Sequence, residues 1–134
     1  MTVTEVYTSA LSLLPSSRQE DDSLRHYALL WANTALAEMF EVENSIRMNE
    51  EEAGRPGRSP LTEIPFLEKE DEEVPYSGIL VRGAMVYFMA SLMAKDDDTD
   101  AWAIEYRNRY VVALNEAKKH IPTLIEDVYA GYNE

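Results

Sequence analysis

The segment from Tyr76 to Lys95 constrains the fold more than any other part of the sequence. Arg82 is the only charge inside it, and large apolar side chains fill most other positions: Ile79, Leu80, Val81, Met85, Val86, Tyr87, Phe88, Met89, Leu92 and Met93. A helix that is apolar on most sides must be covered on most sides. Its longest uncharged run, 83–94, is well short of the roughly 20 residues that a membrane span needs. We therefore expect the central helix of a bundle, or one that also meets another subunit.

Two further segments show helical periodicity. Within 22–50, apolar residues recur at three- and four-residue steps and so share one helix face: Leu24, Tyr27, Trp31, Ala35, Met39, Val42 and Ile46. The charged residues between them are expected to be solvated: Arg25, Glu38, Glu41, Glu43 and Arg47. Within 99–120, a helix that Pro122 would end carries a second stripe: Trp102, Tyr106, Tyr110, Leu114, Ala117 and Ile121.

Helix starts are also suggested by the sequence. Asp21, Asp22 or Ser23 is expected to cap the first long helix, because a short oxygen side chain accepts hydrogen bonds from the first free amides. A weaker pattern over 2–14 would place four apolar residues on one face: Val6, Ala10, Leu13 and Leu14. The predicted fold class is all-α, a small bundle of three to four helices.

The stretch 51–75, between the first two long helices, is the least regular part of the chain. It contains Pro56, Pro60, Pro65 and Pro75, and an acidic run over 68–73. Loops of this length in small domains are usually functional or disordered. Four apolar residues are expected to anchor part of it, with a short strand or hairpin as one outcome: Leu61, Ile64, Phe66 and Leu67. The predicted organisation is a helical domain over 1–121, including this loop, and a C-terminal arm over 122–134.

The charge balance excludes several classes of function. Twelve Lys and Arg against 25 Asp and Glu give a formal net charge of −13. Binding to nucleic acid through its phosphates, or to an anionic membrane, needs clustered basic residues. The chain has no cysteine, which excludes disulfides and thiolate chemistry. The first residues lack a basic and apolar targeting signal, so we expect a soluble intracellular protein.

No pattern predicts catalysis or a metal site. Asp96, Asp98 and Asp100 match the first ligand positions of a calcium loop, but Ala101 and Arg107 stand where glycine and glutamate are needed. The two histidines, 26 and 120, lie in no ligand motif, and no glycine-rich phosphate loop is present. We expect a protein that is not an enzyme and that has no cofactor.

The arm leaves two alternatives open. Its apolar residues alternate with acidic ones in a stretch too short for a core of its own: Leu124, Ile125, Val128, Tyr129 and Tyr132. It either folds back on the bundle or docks on a partner, where tyrosine and isoleucine make good anchors.

The order of these segments resembles the head-to-tail connector (adaptor) proteins of tailed phages and prophages. The similarity spans roughly residues 22–129. It begins with a long helix, LRHYALLWANTALAEMFEVENSIR, and continues through the Ile-Pro and acidic Pro-Tyr elements, IPFLEKEDEEVPY. An apolar helix, an Asp-rich break and a Tyr-rich closing helix follow.

This resemblance implies a structural protein of the virion neck, made in the host cytoplasm. Such adaptors form rings, usually of twelve copies, between the portal protein and a stopper or tail-completion protein, and DNA passes through without specific binding. The arm (Leu124, Ile125, Val128, Tyr129, Tyr132) would dock on the portal. The acidic loop would face the channel or a neighbouring subunit through Glu68, Glu70, Asp71, Glu72 and Glu73.

Two other functions remain as alternatives. A small acidic chain can act as a DNA mimic that occupies the basic cleft of a nuclease or DNA-binding protein. The acids here are spread along the chain, whereas a mimic needs them in a regular stripe at phosphate-like spacing. The other alternative is a tail-assembly or minor virion protein with the same helical build.

Overall fold

The computed structural model describes residues 1–15, 23–54, 58–96 and 100–119, with the side chains of Asp96 and Asp100 excepted. Four α-helices account for most of this part of the chain: α1 (Val3–Ser12), α2 (Ala28–Glu52), α3 (Val86–Asp96) and α4 (Asp100–Lys118). A 3₁₀ turn, Arg25–Tyr27, precedes α2, and a π-helical segment, Leu80–Met85, leads into α3. The described residues contain no strand, only an isolated bridge between Thr2 and Glu73. The all-α prediction is confirmed, and the loop forms no hairpin over its described residues 58–75.

Helix α1 is the weakest prediction from the sequence, but its start is well defined. The Thr2 hydroxyl accepts a hydrogen bond from the Glu5 amide at 3.2 Å, and the Glu5 carboxylate accepts one from the Thr2 amide at 3.1 Å. This capping box satisfies two amides that would otherwise lack partners. The hydrogen bond that the Thr2 amide donates to the carboxylate, and secondarily the Thr2 side chain, lower the pKa of Glu5. The helix buries Val3, Val6, Tyr7 and Ala10 in the core.

Helix α2 begins later than predicted. Its first residue is Ala28, and no side chain caps it, so Ser23 does not have the predicted role; Asp21 and Asp22 lie outside the described residues. Most of the predicted inner face is buried, but Tyr27 is exposed. Tyr27 belongs to the 3₁₀ turn, which advances by about 120° per residue and so breaks the α-helical phase. Its ring instead stacks on Trp31, with 5.4 Å between centroids.

Helix α3 occupies the centre, as its sequence predicts. It packs against α1, α2 and α4. Met85, Met89 and Met93 are all completely buried. In the π-helical segment before it, each backbone hydrogen bond spans one residue more than in an α-helix. This segment buries four residues of the run: Leu80, Val81, Ala84 and Met85. Among the described residues, no helix is long and apolar enough to cross a membrane.

Helix α4 closes the bundle with two tyrosines. The Tyr106 hydroxyl donates to the Leu13 carbonyl, and the Tyr110 hydroxyl donates to a Glu38 carboxylate oxygen at 3.2 Å. The predicted stripe is correct for these tyrosines but wrong for Trp102, which is 46% exposed. Trp102 stacks on Tyr106 with 5.8 Å between ring centroids and does not enter the core. Ile121 and Pro122 lie outside the described residues.

The central position of α3 gives a stability prediction. Met89→Ala should lower the free energy of unfolding by about 2–5 kcal/mol, because it leaves a cavity where three helices meet. Met48→Ala is the matched control, since Met48 is 51% exposed on α2, and it should change stability by less than about 0.5 kcal/mol. Urea denaturation of both variants measures the difference. Equal effects would show that α3 is not the centre of the core.

Candidate functional site

A buried carboxylate lies where the long loop meets α2. Glu43 is completely buried, so the prediction that it lies on the solvated face is wrong. One carboxylate oxygen accepts hydrogen bonds from the Arg47 Nε at 2.7 Å and from Arg58 at 3.4 Å. The other accepts from the Ser77 amide at 2.7 Å. Two of these three donors belong to the loop and the segment just after it, so the loop itself covers this face of α2.

The two arginines extend this network to both ends of the loop. Arg47 donates to the Ser59 carbonyl at 3.1 Å and to the Pro75 carbonyl at 3.0 Å. Arg58 also contacts the Glu50 carboxylate, with a shortest distance of 2.5 Å. The guanidinium of Arg47 thus holds Ser59 and Pro75, which are 16 positions apart in the loop, against one turn of α2.

Two asparagines on α2 hold the middle of the loop. The Asn44 side chain accepts from the Leu61 amide at 2.7 Å and donates to its carbonyl at 3.0 Å. The Asn33 side chain does the same for Leu67, at 2.8 and 2.9 Å. The amide side chain has both a donor and an acceptor, so each asparagine pairs with backbone as a neighbouring strand would. The loop therefore runs extended and antiparallel to α2 without a strand partner.

These clamps decide which loop side chains face solvent. The predicted anchors are correct for Leu67, which is buried, and for Leu61, which is half-buried. They are wrong for Ile64 and Phe66, which are 48% and 73% exposed. Successive side chains of an extended segment point in opposite directions, so burial of Leu67 turns Phe66 outward. We call residues 63–68, whose end residues are the exposed Glu63 and Glu68, the knob.

The acidic run divides into inner and outer residues. Glu72 uses its carboxylate to accept from the Glu68 and Lys69 amides, at 3.1 and 3.0 Å. Glu70 lies 3.7 Å from Arg25 and is half-buried. The charges of Glu70 and Glu72 therefore have partners within the chain. That the five acids face a channel or a neighbouring subunit stays a prediction.

The remaining acids of the run lie on the outside. Glu68, Asp71 and Glu73 are exposed. Glu73 forms an ion pair with the Met1 amino group at 2.9 Å. The loop backbone here packs along the start of α1, where the Glu70 carbonyl accepts from the Thr4 amide at 3.1 Å. Glu68 and Asp71 are therefore the acids of the run that are exposed and that take part in none of the ion pairs described above.

An apolar groove lies where the start of α2, the end of α3 and the first half of α4 meet. It consists of two adjoining hollows of about 520 and 450 Å³, which share Leu92 and Lys95. Leu30 and Ile104 are about 60% exposed there. We call the following residues the groove: Leu30, Trp31, Leu92, Lys95, Ile104 and Arg107. The charged residues that line it, among those described, are both basic.

Arg107 is held at the edge of the groove. Its guanidinium lies 4.9 Å from the centroid of the Tyr110 ring and 3.5 Å from the Glu38 carboxylate. Burial, and secondarily the negative charge of Glu38, raises the pKa of Tyr110 to about 12. Tyr110 thus stays neutral over the physiological range and serves as a structural donor. Burial likewise raises the pKa of Tyr76, whose hydroxyl donates to the Leu36 carbonyl at 2.5 Å.

Several sequence-predicted sites cannot be placed. The arm residues lie outside the described residues: Leu124, Ile125, Val128, Tyr129 and Tyr132. The same holds for 97–99 in the aspartate run and for His120. His26 is exposed and packs against Tyr27, with 4.0 Å between ring centroids. Among the described residues, no three His, Asp or Glu side chains are grouped so that they could hold a metal ion.

The loop clamps and the groove were not predicted, because the sequence indicates them only weakly. Asn33 and Asn44 are poor helix formers in the middle of a long helix. Glu43 and Arg47 are spaced to pair on a helix surface, which does not reveal that the loop covers them. The groove has no local signal, because three separate helices form it.

Comparisons with known proteins found no matching family model, curated protein or solved structure.

The buried carboxylate predicts a local and a global effect. Glu43→Gln keeps the shape but removes the charge that Arg47 and Arg58 share, and it should destabilise the protein by about 1–3 kcal/mol. Trypsin cleavage after Arg58 should accelerate, since the loop loses its main attachment. Glu41→Gln, at an exposed position two residues away on the opposite side of α2, is the control. Equal stability of the two variants would show that the carboxylate charge does not hold the loop.

The asparagine clamp predicts a difference between two substitutions. In Asn33→Ala, hydrogen exchange at the Leu67 amide should be about fivefold faster, as expected for loss of about 1 kcal/mol. In Asn33→Asp the acceptor for that amide remains, so its exchange should be slower than in the alanine variant. The Leu61 amide, held by Asn44, is the internal control. NMR measures the exchange rate at both amides. If Asn33→Ala accelerated exchange equally at Leu67 and Leu61, the two asparagines would not act as separate clamps.

Proposed function

We propose that this protein is a non-enzymatic subunit of a phage head-to-tail connector. In this role it forms a ring in the neck of the virion, between the portal and a stopper or tail-completion protein. The observation that carries the proposal is the clamped loop. An all-α bundle has no evident use for a long acidic loop, yet here Glu43 and two asparagines hold parts of the loop on the surface of α2, and its acidic run lies along the start of α1.

The charge of the surface supports passage of DNA through such a ring. A ring multiplies the formal charge of −13 by the number of subunits. An acidic wall repels phosphates and lets a duplex move without adhering. Asp71 is exposed on the loop, so we assign it to the channel wall or to its edge, and we assign the exposed Glu68 to the contact with a neighbouring subunit. This role needs no cofactor and no specific DNA contact.

The arm takes the role of portal anchor in this proposal. Its residues are Leu124, Ile125, Val128, Tyr129 and Tyr132. They follow α4, whose last turn contains Lys118. Aromatic and aliphatic residues on a short segment are suitable anchors for a pocket on another protein.

The DNA-mimic alternative receives less support. A mimic needs free carboxylates in a regular surface array, and several acids here are bound within the chain. Glu43 and Glu50 bind arginines, Glu5 caps α1, and Glu72 binds loop amides.

The first test is purification of the tagged protein from cells that produce the whole virion, with partners identified by mass spectrometry. We expect the portal and a tail-side protein, in complexes of ring size. Recovery of a host nuclease or DNA-binding protein without virion components would contradict the connector and favour the mimic.

A second measurement addresses the channel. Phage carrying Asp71→Lys should eject DNA more slowly, because the lysines of the ring attract phosphates. Phage carrying Glu116→Lys, an exposed change on α4, should eject normally. Normal ejection by the Asp71→Lys variant would remove this residue from the channel and leave the partner test unaffected.

A further inference from the structure

We propose that the knob of one copy of this chain inserts into the groove of the next copy, head to tail. This inference rests on the proposed ring and names the two surfaces that would build it. The knob offers an exposed aromatic ring between carboxylates, and the groove offers an apolar floor between basic side chains.

The knob is built to be presented to a partner. Phe66 is 73% exposed, although the backbone on its C-terminal side is fixed by the two hydrogen bonds between the Asn33 side chain and the Leu67 backbone. Asn44 fixes the N-terminal side of the segment through Leu61. Because the segment is already ordered, docking it loses little conformational entropy. An aromatic side chain held in this way is a typical anchor of an interface core.

The groove is complementary in charge as well as in polarity. The chain has 25 acids and 12 bases, but Lys95 and Arg107 are the charged residues that line the described groove. Glu63 and Glu68 stand on either side of Phe66 and are exposed. With Phe66 on the apolar floor, these carboxylates would meet the two basic side chains. Charges arranged in this way set the register of an interface and exclude wrong partners.

The knob does not occupy the groove of its own chain, which leaves both surfaces available to other copies. Phe66 is 73% exposed and lines neither hollow of the groove, and Leu30 and Ile104 are about 60% exposed within it. Two different surfaces that bind each other in separate copies form a heterologous contact, which generates a closed ring or an open filament.

The decisive experiment mixes two defective variants. Phe66→Ala removes the knob anchor, and Ile104→Glu places a like charge in the groove opposite Glu63 and Glu68. Each variant alone should self-associate at least about tenfold more weakly than the unchanged chain, as for loss of a hot-spot residue. The mixture should form heterodimers that grow no further, because only one intact knob and one intact groove meet. Native mass spectrometry at increasing protein concentration resolves these species.

Matched controls separate this result from misfolding. Val112→Glu introduces the same charge on α4 at a residue that is equally exposed but outside the groove. Met48→Ala truncates an exposed apolar side chain on α2. Both controls should associate like the unchanged chain, and circular dichroism should show unchanged helix content in all four. Association that Val112→Glu reduces as much as Ile104→Glu, or that Phe66→Ala leaves intact, would overturn the proposal.

Cross-linking tests the same contact in the assembled state. The chain has no cysteine, so a double variant, Glu68→Cys with Lys95→Cys, has one thiol on each surface. After oxidation of lysates from virion-producing cells, non-reducing electrophoresis should show a ladder of dimers, trimers and larger species. A variant with Glu68→Cys and Glu116→Cys should show none. A ladder in this control, or its absence in the test variant, would overturn the proposal.

The outcomes also distinguish this inference from the proposed function. Recovery of the portal without a cross-linked ladder would leave the connector standing and reject the knob and groove. A ladder without recovery of virion proteins would establish the contact between copies and reject the connector. A ladder that stops at dimers would show a symmetric contact, which rejects the head-to-tail arrangement.

Discussion

The structure depends on one buried charge. The Glu43 carboxylate is completely enclosed, and an ion in the protein interior costs several kcal/mol unless its partners replace water. The replacements come from three places: Arg47 on the same helix, Arg58 at the start of the loop, and the amide of Ser77 just before the π-helical segment. If the loop left α2, the Glu43 carboxylate would lose the donors Arg58 and Ser77 that replace water around its charge. The conformation of the loop and the position of the segment leading into α3 are therefore coupled to a single side chain.

The asparagine clamps determine which side of the loop is exposed as a surface. A covered helix face normally requires apolar packing along its whole length, but Asn33 and Asn44 allow the loop to pair with α2 by hydrogen bonds. Fewer apolar side chains are then needed underneath. This is the reason that Leu67 alone of its neighbours is buried while Ile64 and Phe66 remain outside. The apolar residues of the loop are thereby available to another molecule, in a conformation that is already fixed.

Sequence periodicity predicted the helices because each helix buries its own stripe, which is a local property. It succeeded for the central helix, where almost every side chain is apolar, and for Tyr106 and Tyr110. It failed for Glu43, because a charged residue at a surface spacing gives no sign that a distant loop will cover it. It failed for Trp102 for the opposite reason, since an aromatic residue at a core spacing gives no sign that the core has ended. The expectation that Phe66 anchors the loop rests only on its being apolar, which does not show which side of an extended segment is covered. The groove could not be predicted, because it requires the relative placement of three helices.

The net charge sets the remaining condition on any assembly of this chain. Subunits with a formal charge of −13 repel one another, but the Debye length of about 8 Å at physiological salt confines that repulsion to charges near the contact. What decides association is then the local charge at the meeting surfaces. Lys95 and Arg107 line the groove, and the knob has Glu63 and Glu68 at its edges. An acidic protein of this kind can thus keep a repulsive surface toward DNA and still attract its own copies at one place.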